Sequence, residues 1–389
     1  MRTSSSINLG LPLGLAPMEG VTDFATRLWF QLIGGVDFTW TPFLRVTDTF
    51  PAKFPDLFAP ELSILKGLFP APLVLQVMGS RPEDIVRTAD AAGDRIEFID
   101  LNCGCPSPTV VGSRAGSSLL QEAEVFAGFL DYIASRLGPG RLSVKMRTGF
   151  HQGEEFPRLI AAIKGIPLRH LTIHGRTRPD RYTGKADWSK VHAATESCPF
   201  PIIGSGDVCD LKSLTMRQEV SPNVKAVIIG RGALRNPWIF TGATHGPVVA
   251  AFVAFVLLQD LALESEERLV AWCTTLKPNS FRLIEEAEWG RVIESLLIKL
   301  RGKSFKTLTD IEVTPRALSR GKMLWNYLRS SLPSAFMEPS LMRASTLEGF
   351  LRQIDEIARQ LQLSPANLPV IYNPEHDWMY SGAGRNAKS

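Results

Sequence analysis

Pro201-Ile-Ile-Gly-Ser-Gly-Asp207 and Ala226-Val-Ile-Ile-Gly-Arg-Gly-Ala233 follow one plan. A short apolar run rich in β-branched residues stops at a glycine and gives way to a polar, glycine-containing turn. Such runs suit strands covered on both faces of a parallel sheet. The plan recurs upstream, giving eight runs: Leu11–Ala16, Val36–Thr41, Leu73–Met78, Ile96–Leu101, Leu142–Met146, His170–Ile173, Pro201–Gly204 and Ala226–Ile229. Helix-like stretches lie between them, such as Pro82–Ala92, Glu122–Leu137 and Glu155–Lys164. Eight strand–helix units in about 240 residues predict an α/β chain with a (β/α)8 TIM barrel. A doubly wound sheet is the rival; the count of eight and the chemistry at the strand ends favour the barrel.

Beyond Phe240 the pattern changes. Residues 250–362 show helical periodicity without convincing strands, over Glu266–Cys273, Ala287–Leu300, Pro315–Ser330 and Leu347–Leu361. The expected organisation is a barrel domain over 1–243, a helical domain over 244–372 and a loose polar tail over 373–389. The longest apolar run, Val248–Leu258, has 11 residues. A bilayer span needs about 20, so a buried helix is expected and no membrane segment.

Composition narrows the class. The 389 residues are 44% hydrophobic and 21% charged, which excludes a disordered, collagenous or coiled-coil chain. A net charge of +4 is a weak lean toward anionic partners. Five cysteines spread over this length do not make a disulfide framework, and the N-terminus lacks the apolar core of a signal peptide. A reducing cytoplasm is the expected location.

In a barrel, residues just past each strand's C-terminal end line the active site. Those positions hold Ala16-Pro-Met-Glu-Gly20, Gln76-Val-Met-Gly79, Asn102-Cys-Gly-Cys-Pro106, Lys145-Met-Arg147, His174-Gly-Arg176, Gly204-Ser-Gly-Asp207 and Gly230-Arg-Gly-Ala233. Barrels often bind phosphate after strands 7 and 8. Ser205-Gly206 and Gly230-Arg231-Gly232 fit that use, with Arg231 as a forked partner; tight turns alone would also explain the glycines. Lys145 within a strand is either a cation at the barrel mouth or a salt-bridged core lysine. His174 is either a donor to a cofactor carbonyl or a satisfied core histidine. Cys103 and Cys105 are too close for a usual zinc pair, and nothing nearby completes a site, so no metal is expected. A cysteine past a strand end is placed to act as acid or nucleophile. Cys198, Cys209 and Cys273 read as incidental.

Together these residues resemble the tRNA-dihydrouridine synthases, from Leu15 to about Phe240. The motifs are Ala16-Pro-Met-Glu-Gly-Val21, Phe43-Leu-Arg-Val-Thr-Asp48, Leu101-Asn-Cys-Gly-Cys-Pro106, Ser143-Val-Lys-Met-Arg147, His174-Gly-Arg-Thr177 with Tyr182 and Gly184, and Ile229-Gly-Arg-Gly-Ala-Leu-Arg-Asn-Pro-Trp238. Three of them look most like the bacterial C-type branch, whose target is uridine 16 of the tRNA D-loop. The resemblance implies an FMN enzyme that reduces the uridine C5–C6 bond, with NADPH as electron source. It implies that Pro17, Met18 and Glu19 pack on the flavin, that Gln76, Lys145 and His174 bond its ring, and that Ser205, Gly206, Asp207, Gly230 and Arg231 bind its phosphate region. Asn102, Arg147, Arg176 and Tyr182 would meet the uridine. Cys105 would donate a proton to C5 after hydride from flavin N5 reaches C6, a role that needs the thiol form.

The chain departs from the family at Pro108, Ser205 and Pro42. Residues 291–330 hold nine Lys or Arg against three acids, a local +6. With Arg320-Gly-Lys322 and Tyr327-Leu-Arg329, which resemble a C-type stretch, this window is a candidate tRNA surface; a solvated basic helix face is the plainer alternative. A monomer is expected. Two other readings are a flavin reductase of a free small molecule and a non-catalytic tRNA-binding paralogue.

Overall fold

The computed structural model describes residues 10–47, 61, 68–69, 71–106, 115–276, 283, 285–302 and 311–373. Asp48, Pro108, the basic positions 303 and 306, the acid at 310 and the tail from 374 onward lie outside them.

Eight parallel strands close into a barrel: β1 Leu13–Leu15, β2 Phe38–Trp40, β3 Leu73–Met78, β4 Ile99–Cys103, β5 Leu142–Arg147, β6 Leu171–His174, β7 Ile202–Ser205 and β8 Ala226–Ile229. Neighbours pair in chain order, β8 returns to β1 and β2 pairs β3, so the barrel closes without a free edge. Each expected run coincides with one strand, and the doubly wound alternative falls. A two-residue strand, Leu44–Arg45, adds to the end of β3.

Register determines which side chains share the lumen. Gln76 is level with Asp100, Asp100 with Ser143, Asn102 with Lys145, and Arg147 with His174. The intervening residues, such as Leu75, Leu101, Val144 and Ile173, face outward and join the main apolar core with the helices. A second cluster of Ala16, Trp40, Val74, Ile203, Ala226 and Ile228 packs inside the barrel. The strands are thus buried on both faces, but several carry polar residues on the inner one.

The helices follow ordinary local rules. Helix α1, Phe24–Ile33, starts at Asp23, whose side chain accepts the Thr26 amide, and stops at Gly34. Val248–Glu264 forms one 17-residue helix buried through Leu261, and it is the hub of the C-terminal region. Trp29 of α1 stacks edge-on against Phe255, and its Nε1 donates to Ala251 O at 2.7 Å. Phe252 stacks on Phe350 at 4.9 Å. Barrel and C-terminal helices therefore share one continuous core. The other C-terminal helices are Glu266–Cys273, Glu286–Arg301, Pro315–Leu328, Pro339–Arg343 and Leu347–Gln360. His245–Gly246 also pairs antiparallel with Leu368–Pro369, a contact absent from the sequence reading. Among the described residues, no helix is long and apolar enough to cross a membrane.

Candidate active site

A cavity of about 630 Å³ opens at the C-terminal mouth of the barrel. Its size is that of a cofactor or substrate cleft. Pro17, Met18, Glu19, Asn102, Cys105, Lys145, Arg147, His174, Tyr182, Ser205, Gly206, Asp207, Gly230 and Arg231 all line it. These fourteen expected positions come from segments spread over more than 200 residues of chain, and the barrel brings them to one mouth. Tyr327, on helix Pro315–Leu328, reaches the same cavity from the C-terminal region.

Cys105 sits on a loop tied at both amides and carbonyls. Asn102 Oδ1 accepts the amides of Gly104 and Cys105, each at 3.0 Å. Ser117 Oγ donates to Cys105 O at 2.7 Å, and Arg147 Nε donates to Gly104 O at 2.8 Å. Cys103, one residue past Asn102, points outward and is fully buried; burial and the nearby Asp100 carboxylate push its thiol well above the usual range. Of the Asn-Cys-Gly-Cys pair, only Cys105 faces the cavity. Cys209 also lines it, whereas Cys198 and Cys273 do not.

Lys145 is the cation of the lumen. Burial, and then the charge of Arg147, lower its pKa to about 8. No hydrogen-bond partner for it is present among the described residues. His174 is held neutral, its pKa driven well down by burial and by Arg147, Lys145, Arg176 and Arg231. Its Nδ1 is buried without a partner. Lys145 and His174 thus both line the cavity, and the ammonium and the imidazole Nδ1 are without partners among the described residues.

Four expected contacts come out differently. Gln76 is fully buried and does not line the cavity; its Nε2 donates to Asp100 Oδ2 at 2.8 Å and its Oε1 accepts Asn102 Nδ2 at 2.9 Å. Arg176 does not line the cavity. Its guanidinium is buried on Asp207 (2.7 and 2.9 Å), Thr183 O and Gly184 O, because a buried cation needs a counter-charge, and its Nη1 is left without a partner. That pairing also holds Asp207 at a left-handed φ of 52°, assisted by the Ala186 amide at 2.6 Å. The Asp207 carboxylate is thus turned onto Arg176 rather than offered to a phosphate. Arg320 donates to Gly20 O, Val21 O and Asp23 Oδ2, pinning the C-terminal helices to the loop after β1. Lys322, two residues on, is half-buried.

Arg147 lines the cavity but is also a tie, donating to Thr177 O and Arg181 O at 2.8 and 2.9 Å. Tyr182 stands exposed at the rim, with the Arg231 guanidinium 4.4 Å and the Arg147 guanidinium 5.6 Å from its ring centre. Asp100 and Ser143, hydrogen-bonded at 2.6 Å below the cavity, were not among the expected site residues. Their signal was the polar alternation in Ile99-Asp-Leu-Asn-Cys103 and Leu142-Ser-Val-Lys-Met-Arg147.

The opposite wall is built from small residues. Gly206 has a φ of 118°, and a Cβ there would lie 2.7 Å from Ala186 Cβ. Gly230 faces Met18, whose Sδ would lie 3.4 Å from an added Cβ.

A sequence model for the family described as Dihydrouridine synthase (Dus) matches residues 14–249. The chain belongs to that family. The tRNA-dihydrouridine(16) synthase of Escherichia coli (strain K12) is 33% identical over 297 residues, covering 72% of this chain and 94% of that one. The protein of the same name in Shigella flexneri is 34% identical over 298 residues, with the same coverage. A solved structure of morphinone reductase overlaps 59% of this chain and 84% of its own, at 12% identity and a TM-score of 0.43. The dihydrouridine synthase match begins within β1 and ends at the start of the buried helix Val248–Glu264. Among the described residues, no cluster of three or more His, Cys, Asp or Glu side chains is arranged to hold a metal ion.

Proposed function

We propose that this chain reduces a uridine of tRNA to 5,6-dihydrouridine, at position 16 of the D-loop, using FMN as cofactor and NADPH as reductant. The observation that carries the reading is the convergence of Cys105, Lys145 and His174 on one cavity of cofactor size. The residues present fit a flavin. The unpartnered His174 Nδ1 and the Lys145 ammonium suit ring heteroatoms with partial negative charge. The glycine-bearing turns at 206 and 230 allow backbone to approach a phosphate. FMN, when bound, supplies the hydride for uracil C6.

The chain's own residues do the rest. Cys105 gives a proton to C5, and the loop bonds to Asn102, Ser117 and Arg147 hold its backbone for that step. Lys145 and Arg147 place positive charge beside the carbonyls where negative charge develops. His174, being neutral, orients by hydrogen bonding rather than by charge. The base reaches this depth only by leaving the tRNA stack. Tyr182 at the rim and Tyr327 from the C-terminal helices are placed to meet it on entry.

In this reading residues 1–243 form the catalytic domain and 244–372 the tRNA-binding domain of a cytoplasmic monomer. The basic window is less open than its +6 suggests. Arg301 pairs with Asp260 and Glu264, and Arg320 with Asp23. Arg291, Lys299, Arg316 and Lys322 have no acidic partner among the described residues and remain as phosphate contacts. Affinity for tRNA should accordingly fall with salt.

The purified protein should be yellow, and tRNA from a deletion strain should lack dihydrouridine at position 16. A colourless protein that cannot be loaded with FMN sinks the reading. Cys105→Ala should lower turnover by about 10²–10⁴-fold, the span of a general acid, while flavin stays bound. Unchanged turnover would refute the role of the thiol.

A further inference from the structure

The catalytic loop hangs from a chain of side-chain amides that ends, deep in the barrel, on a carboxylate. Gly104 N–H and Cys105 N–H donate to Asn102 Oδ1. Asn102 Nδ2 donates to Gln76 Oε1 at 2.9 Å, and Gln76 Nε2 donates to Asp100 Oδ2 at 2.8 Å. Ser143 Oγ donates to the other carboxylate oxygen at 2.6 Å. Asp100, Gln76 and Ser143 are fully buried, and Asn102 is 7% exposed.

We propose that Asp100 is a positioning residue: its acceptor-only carboxylate sets the direction of the Gln76–Asn102 relay and so presents an acceptor to the two amides of the Cys105 loop. A primary amide offers donors at one end and an acceptor at the other. Gln76 and Asn102 could each be turned by 180° with little change of shape. If both turned, Asn102 would present N–H to the N–H groups of Gly104 and Cys105, and the loop would lose both bonds. Burial raises the Asp100 pKa to about 6, so above that pH the carboxylate is ionised, can only accept, forbids that state and holds Gln76 with Nε2 inward. Each amide then passes the same polarity to the next. The inference rests on the reading of Cys105 as proton donor only for its functional meaning; the relay itself is geometric.

The relay makes a sign prediction that simple packing does not. Asn102→Asp places carboxylates at both ends of Gln76, so one end of Gln76 must face an acceptor with its own carbonyl. Asp100→Asn alone is tolerated, because the Ser143 hydroxyl can accept as well as donate and lets the new amide keep its oxygen on Gln76. The double variant is fully satisfied in reverse: residue 100 donates to Gln76 Oε1, Gln76 Nε2 donates to the carboxylate at 102, and its second oxygen still accepts the loop amides.

The test is hydrogen–deuterium exchange over strands 73–78 and 99–103, with the rate of Cys105 alkylation by iodoacetamide read by peptide mass spectrometry, on the purified full chain without tRNA. Asn102→Asp should speed exchange by about tenfold or more, because the Gln76 carbonyl is left facing a carboxylate between the two strands. Asp100→Asn should leave it within about threefold of wild type, and the double variant should return to that range. If Asn102→Asp does not fold, the double variant must. Additive damage, or a double variant as loose as Asn102→Asp, overturns the relay. Neither readout involves turnover, so both stand or fall separately from the Cys105→Ala assay.

Discussion

The two walls of the cavity are built on opposite rules. From β3 to β6 the lumen is wired: Gln76, Asp100, Asn102, Ser143, Lys145, Arg147 and His174 occupy it, most of them tied to one another or to a loop. From β7 round to β1 the strand ends present small or apolar residues, including Ser205, Gly206, Ile228, Gly230 and Ala16, and the charged Glu19, Asp207, Arg231 and Arg235 stand beyond them. One wall fixes donors and charge within the barrel, and the other clears room there for a flat ring and for backbone contacts. Polar groups placed in a low-dielectric lumen must be satisfied or matched to a ligand. In the wired wall most are satisfied internally, and the ammonium of Lys145 and Nδ1 of His174 are left for the ligand.

The largest effect should come from cutting the wired wall at Arg147. Arg147→Leu leaves the carbonyls of Gly104, Thr177 and Arg181 without their donor. With roughly 1 kcal/mol or more for each buried acceptor left unpaired, the loss should be about 3 kcal/mol in urea unfolding. Turnover should fall along with stability, since two loops of the site are released. A variant of wild-type stability would show that these bonds do not organise the mouth.

A smaller and different effect is expected from the open wall. Gly230→Val fills space beside Met18 rather than removing a bond. Stability should change by less than about 1 kcal/mol, a typical surface-lining substitution, whereas FMN affinity should drop about tenfold or more as the cavity narrows. Fluorescence titration separates the two. If Gly230→Val unfolds the protein as readily as Arg147→Leu, the division between the walls is wrong.

Much of this division was legible in residue order, and the reasons for the rest are physical. Strand positions follow from local apolar runs, so all eight fell in place. The strand-end residues followed from the barrel rule, because the fold itself carries them to one mouth. The partners of Arg176 and Arg320 were not legible. Each lies on a path set by a returning loop: Asp207 is 31 residues from Arg176, and Asp23 is 297 from Arg320. A basic residue near a site looks the same in sequence whether its donors serve a ligand or the protein's own carbonyls. Asp100 was hidden differently, within a run taken as continuously apolar, where the alternation of Asp100 and Asn102 with Ile99, Leu101 and Cys103 was the unused signal.

The gentlest perturbation is pH, and it bears on the one cation the wired wall leaves for a ligand. Burial and Arg147 lower the Lys145 pKa to about 8, while Asp100 and Cys105 oppose the shift. Between about pH 8 and the unfolded value near 10.4 the unfolded chain holds more protons at this position than the native one, so this group makes stability rise with pH across that window. Ligand binding has the opposite sign. An anionic ligand favours the charged lysine, so FMN affinity should weaken as pH rises through about 8, with a limiting slope of about one proton per flavin. Lys145→Arg keeps its charge throughout and should abolish the slope; Lys145→Met should show none and bind more weakly at neutral pH. The measurement is a flavin-fluorescence titration from about pH 7 to about pH 9. A wild-type affinity flat across that range, or an equal slope in Lys145→Met, would assign the partial negative charge of the flavin ring to a partner other than Lys145.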